Sequence, residues 1–326
     1  MSKYAVTMLG IATSLTMAVP AFAQTAYPTR PITWVVPFAA GGVTDTVARK
    51  MAGPMSKVLG QTVVVENKPG AGGVVGTEAV ASAKNDGYTV LYTSSGPMSI
   101  LPALQAGKLS YDPVKSFTHV QGLSVANQMI VATPSAPFST LPELIAYAKE
   151  NPNQINYGSP GVGTAQHLAG ELLQSAAGIK MTHIPYKAGS NQMVDLMSGV
   201  IQVSFEYSSV VAPYVSGGKM KVLGTTGSKR ASAYPNAVTV VEAGHPGAEN
   251  AGWSGIAVPA GTPSEVVEKI AAAAQAALKD PAVAEYFESN AILPLPEVGP
   301  AQINEFVASE SAKFKAVVER AGLAVK

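Results

Sequence analysis

Two runs of small residues, each set between an apolar stretch and a helical pattern, hold the chemistry this chain can do. In the first, Phe38-Ala39-Ala40-Gly41-Gly42 follows Trp34-Val35-Val36-Pro37 and precedes Val47, Ala48, Met51, Met55, Val58 and Leu59, spaced by threes and fours. In the second, Gly158-Ser159-Pro160-Gly161-Val162-Gly163-Thr164 precedes Leu168, Leu172 and Leu173. Both spacings predict a strand, a turn and a helix N-terminus. The first amides of a helix lack internal partners and carry partial positive charge, so such turns suit a carboxylate or phosphate. Glycines also follow strands in any α/β sheet, so the pair reads either as the two ends of an anion site or as plain turns. Ligands of open α/β sheets sit outside the carboxyl ends of the strands, which favours the first reading.

Other candidates sit around these turns. Asp45, the third or fourth residue of its helix, reads as a cap that favours the dipole, or as a group ordering waters or bonding a ligand amine. Ser95 lies in a third turn, Ser94-Ser95-Gly96-Pro97, and counts as a ligand-binding candidate. His167, in the first turn of the second helix, reaches a ligand, satisfies local backbone or packs between domains. Glu206 ends a strand and accepts from a ligand N–H or O–H, selects against bulk, or pairs structurally with the other domain. Lys187 neutralises a carboxylate or is solvated.

Several chemistries are unsupported by the spacing. A Ser159–His167 hydrolase can be drawn on paper, but Gly158-Ser159-Pro160 is not G-x-S-x-G. A dinucleotide fingerprint starting at Gly70 would need glycine where Val75 stands, and no G-K-[ST] P-loop occurs. With no Cys, and with His119, His167, His183 and His245 outside zinc spacings, no metal is expected. No cofactor is expected either.

Residues 1–23 read as a signal peptide, with Lys3, an apolar run and Ala21-Phe22-Ala23 before the cut. Loss of 23 residues leaves about 300, where single cores tend to split into domains. The formal charge of +1 becomes neutral without Lys3, which leaves no basic footprint for nucleic acid. Zero cysteines exclude disulfides and thiolate nucleophiles.

Strands are expected at 63–66, 88–93, 128–133, 155–157, 181–185, 200–205 and 222–225. Residues 111–120 read as irregular. Thr140-Leu141-Pro142-Glu143 and Thr262-Pro263-Ser264-Glu265 read as capping boxes, the latter with Pro at the first helical position, and Asp280-Pro281 as another cap. Pro54 is expected to kink the first helix or mark its end. Small-residue turns after strands give the grammar of an α/β fold. The expected division is 24–125 and 252–326 in one domain and 126–251 in the other, with a hinged cleft between them.

The chain resembles the substrate-binding receptors of tripartite tricarboxylate transporters, the Bug-type family, over essentially all of 24–326. The resemblance is carried by Tyr27-Pro28-x-Arg30-Pro31, Phe38-x-x-Gly41-Gly42-x-x-Asp45, Glu66-Asn67-Lys68-Pro69-Gly70-Ala71-Gly72-Gly73, Gly163-Thr164-x-x-His167-Leu168, Pro185-Tyr186-Lys187 and Trp253-x-Gly255. It implies a type II periplasmic binding-protein fold of two α/β lobes, a Venus flytrap. Such a receptor binds a small organic carboxylate in the periplasm, as a monomer, and delivers it to two membrane permease subunits. It also implies that Phe38, Ala39, Ala40 and Gly41 hold one end of the ligand and Ser159, Gly161, Val162, Gly163 and Thr164 the other. On that basis Thr164 is expected to donate to the ligand. Where the family usually has Asp, this chain has Glu206. An exported hydrolase using Ser159, or a receptor for a sensor kinase, are the alternative functions.

Overall fold

The first apolar run becomes β1 (Ile32–Val36), and the pattern after the turn becomes α1 (Val43–Leu59). In this computed structural model, which describes residues 27–187, 189–231, 233–320 and 322–323, β2 (Val63–Asn67), α2 (Val74–Ala81) and β3 (Thr89–Ser94) follow. The expected signal peptide lies outside the described residues. Strand β1 is parallel to both β2 and β3, so the opening is the β-α-β-α-β unit that the spacing predicts.

A π-helical turn (Gly96–Ile100) and α3 (Leu101–Leu104) lead into β4 (Phe117–Ala132), a 16-residue strand. Then come α4 (Leu141–Glu150), β5 (Asn156–Ser159), α5 (Ala165–Ala177), β6 (Thr182–Pro185), α6 (Gly189–Ser198), β7 (Val203–Tyr207), α7 (Ser208–Ser216), β8 (Lys221–Thr225) and β9 (Val238–Thr239). The chain ends with β10 (Ala251–Pro259), α8 (Ser264–Leu278), α9 (Pro281–Ser289), β11 (Ile292–Pro294) and α10 (Ile303–Arg320).

The strands form a first lobe ordered β2-β1-β3-β10-β4-β11 and a second ordered β6-β5-β7-β4-β8-β9. Strand β4 belongs to both. Its residues 117–127 pair antiparallel with β10, and its residues 128–132 pair with β7 and β8. This is a two-lobed α/β binding-protein fold. Each lobe buries both faces of its sheet. In the first, Trp34, Val36 and Ile256 meet Val47, Met51 and Met55 of α1 and Ile270 of α8, while Val35, Leu91 and Ala257 meet Ile303, Val307 and Phe314 of α10. That alternation is the period of two of a strand covered by helices on both sides. Helix α5 spans the junction: Leu168 and Leu172 join the first lobe's apolar cluster, and Ala169 and Leu173 join the second's.

Several expectations need correction. Residues 117–120 are strand, because pairing along β10 orders them despite the absence of local alternation. The turn after β3 winds on as helix at once. Helix α1 continues past Pro54 to Leu59, with Val58 at 53% exposure rather than on the buried stripe. The start of α8 is shifted by one residue: Pro263 sits at the N-cap, before the helix begins, and the Thr262 hydroxyl donates to the Pro259 carbonyl. Thr140 does accept from the Glu143 amide, and Asp280 from the Ala282 amide, as their motifs require.

Candidate functional site

The first turn is shaped by a clamp. Asp45, third in α1 and 4% exposed, accepts from the Gly41 amide at 2.9 Å and from Arg49 Nε at 2.9 Å. Arg49 Nη2 donates to Asn67 Oδ1 at 2.9 Å, and Asn67 Nδ2 donates to the Phe38 carbonyl at 3.0 Å. Burial alone would raise the Asp45 carboxyl, but the Arg49 guanidinium, the Gly41 amide and Asn67 together hold it below the usual carboxylate range. Gly41, at φ +83, makes the bend, and its amide is spent on Asp45 rather than offered to a ligand. Among the described residues, the amides of Phe38, Ala39, Ala40 and Gly42 make no internal hydrogen bond. The nearby cations are engaged: Arg49 as above, and Lys68 with Glu66 at 3.1 Å.

The second turn is built the same way with different parts. Ser159 Oγ accepts from the Gly161 amide at 3.2 Å and lies 2.6 Å from His183 Nε2. The Gly163 amide donates to His167 Nδ1 at 3.3 Å, which makes Nδ1 the unprotonated nitrogen of that ring. Thr164 Oγ1 donates to the Gly161 carbonyl at 2.8 Å and accepts from the His167 amide at 3.3 Å. The threonine hydroxyl that the resemblance assigned to a ligand is thus the N-cap of α5. The amides left without an internal partner, among the described residues, are those of Val162, Ala165 and Gln166. Val162 stands at the tip, 46% exposed.

Next to this turn lies a half-buried polar chain. The rings of His167 and His183 stack with centroids 4.3 Å apart, His167 Nε2 is 3.9 Å from Glu171, and Tyr157 Oη donates to Glu171 at 2.5 Å. Burial, and then the neighbouring His167, push His183 down to about 3. Burial also lowers His167, against the pull of Glu171. The partner of Ser159 is therefore His183 and not His167, and the serine side chain is fully buried.

The lobes meet through backbone. A β-carbon on Gly72 would overlap the Val162 carbonyl oxygen, and one on Gly163 would overlap the Leu101 side chain. One on Gly96 would lie 3.2 Å from the Gly163 carbonyl oxygen. The second turn is thus seated on the 70–73 turn and on the start of the helix after β3, next to Ser95, which is 2% exposed. The Phe38 ring packs against Gly73, so Phe38 of the first turn and Val162 of the second both border the 70–73 turn.

Glu206, at the end of β7 and 3% exposed, receives Gln166 Nε2 at 3.5 Å, Gln192 Nε2 at 3.3 Å and the Tyr207 amide at 3.2 Å. Burial pushes its carboxyl up to about 7, against the pull of those three donors. Lys187 is exposed. His183, Gly72, Gly96, Gln166 and Gln192 are residues that sequence reasoning did not place here. Of these Gly72 and Gly96 carried a signal, each as part of a small-residue turn, and the contact of Gly72 lies 90 positions away along the chain.

The fold and these turns define a periplasmic-type solute-binding protein. Residues 47–323 match the tripartite tricarboxylate transporter family receptor, TctC, and the chain belongs to that family. It is similar to the solved structure of the periplasmic binding protein BugD (35% identity, TM-score 0.87, covering 92% of this chain and 100% of that one). It is also similar to MatC from Rhodopseudomonas palustris with bound malate (32%, TM-score 0.85, 90% and 100%). A third similar structure is R. palustris Rpa4515 with adipate (30%, TM-score 0.86, 91% and 99%).

Proposed function

We propose that this chain is a periplasmic receptor, freed of its signal peptide after Ala23, that closes on a small organic carboxylate and delivers it to the permease subunits of a tripartite tricarboxylate transporter. Di- and tricarboxylates, acidic amino acids and aromatic acids are the candidate ligands. The observation that carries this reading is the pair of helix N-termini, one per lobe, whose outer amides lack partners while the nearby cations are already paired. Neutral donors of this kind hold an anion without a salt bridge. Malate and adipate in two similar receptors support a carboxylate as guest. Closure brings both turns to the ligand at once, so binding biases the open–closed equilibrium. A fully buried Ser159, already bonded to Gly161 and His183, favours binding without chemistry.

The test is a thermal-shift screen of the mature chain against C4–C6 di- and tricarboxylates, amino acids and aromatic acids. A cognate ligand at one hundred times its Kd stabilises by about 2.7 kcal/mol. A flat screen across all three classes overturns the receptor reading.

A further inference from the structure

Building on the receptor reading above, we infer that the ligand carries, besides the carboxylate held by the turns, an N–H or O–H donor, best an ammonium, that seats on the Glu206 carboxylate. Strands β5 and β7 are parallel with Gly158 opposite Ser204, so Glu206, two residues further on, lies level with the start of the second turn. It stands at the carboxyl end of the sheet, where the free amides of that turn also lie, and Gln166 in the first turn of α5 reaches it.

The carboxylate has no cation. Among the described residues no Lys, Arg or His lies within ion-pair distance of Glu206. Its three donors are neutral amides at 3.2 to 3.5 Å, toward the long end of the hydrogen-bond range. A second acceptor beside it is also unserved: Gln192 is fully buried, its Nε2 is divided between Ser204 and Glu206, and its Oε1 has no partner. A buried acceptor without a donor is costly and rare, so Gln192 Oε1 beside a carboxylate served only by long neutral bonds marks a place where a donor is missing.

Among the described residues, no charged side chain contributes to the Glu206 shift, which sets burial against three neutral donors. Helix α5 presents Gln166, α6 presents Gln192, β5 presents Gly158, and Met129 of β4 is the register partner. Tyr207 is an ionisable neighbour, and burial keeps it neutral by raising it far above its usual range. A second carboxylate brought here would meet like charge in a dry site, and an ammonium would complete an ion pair.

Because Glu206 is held up to about 7, the two cases differ in sign. An ammonium lowers the Glu206 value on binding, so a proton is released near pH 7. A second carboxylate raises it, so a proton is taken up. Calorimetry at pH 7 in buffers of different ionisation enthalpy reads this directly, with succinate, malate and aspartate as probes on one skeleton and glutarate and glutamate on the next.

The expected result is that the amino acid binds at least tenfold tighter than its matched dicarboxylate and releases a proton. In Glu206→Gln it loses at least tenfold while the dicarboxylate does not weaken. Equal or tighter binding of the dicarboxylate with proton uptake, or indifference of both ligands to Glu206→Gln, overturns this inference and leaves the receptor reading standing. Absence of binding by every probe and by the wider carboxylate screen overturns both.

Discussion

The carbonyl oxygen of Val162 occupies the space that a side chain on Gly72 would need, so the two lobes touch there backbone to backbone. Gly72 also has φ +65, so alanine meets both strain and the opposite lobe. Gly72→Ala is expected to favour the open form and weaken ligand at least tenfold, about 1.4 kcal/mol. Gly60→Ala supplies the control, since Gly60 has φ +68 with nothing within 4 Å of its would-be β-carbon. It should cost stability of about 1–2 kcal/mol from backbone strain and leave affinity unchanged. Calorimetry and small-angle scattering of both variants check this, and equal affinity in the two would contradict it.

Asp45 ties the first turn to α1. Asp45→Ala frees the Gly41 amide and the Arg49 guanidinium, with an expected loss of about 1 kcal/mol, small because Arg49 is half exposed. Its depressed pKa means that the contribution is present above the ordinary Asp range and is lost as pH falls through the folded value. Urea melts of the variant and the parent should therefore differ at pH 7 and converge toward pH 2.

Thr164 is the cap of α5, with both roles of its hydroxyl used inside the turn. Thr164→Val should lower the stability of the unliganded protein by about 1 kcal/mol, and Thr164→Ser should restore it. Unchanged melting of Thr164→Val without ligand would return the hydroxyl to the ligand.

The stacked pair of His167 and His183 should make the protein acid-sensitive. Both are held below the usual histidine range in the folded state, so the unfolded chain binds more protons once pH falls below about 6.5. Stability is complete above that value and falls toward the folded values, by up to about 1.4 kcal/mol per pH unit for each ring. Glu206 acts with the opposite sign: its raised value gives stability that is present below about 4.5 and is lost as pH rises through about 7. Melts from pH 4 to 8 should show a flatter acid limb in His183→Gln and a flatter neutral limb in Glu206→Gln.

Much of this was legible in the linear chain. The spacing of Val47, Ala48, Met51 and Met55 foretold α1, and Thr140-x-x-Glu143 foretold the start of α4, because both signals are local. Residues 117–120 were not legible, since their strand exists only through pairing with β10, more than a hundred residues later. The Thr262 motif misled by one position, because Pro263, with its extended ψ, takes the N-cap and the helix begins at Ser264.

The chain on its own determined the α/β alternation, the two glycine turns, the absence of thiol chemistry and the family to which it belongs. These follow from short-range backbone preferences and from the residue inventory. Only the tertiary structure decided which amides remain free, that Ser159 pairs with His183, that Gly72 meets Val162, and that Glu206 is buried without a cation. Those facts depend on distances between segments far apart in sequence, and on the burial that turns an ordinary carboxylate into one that lacks a partner.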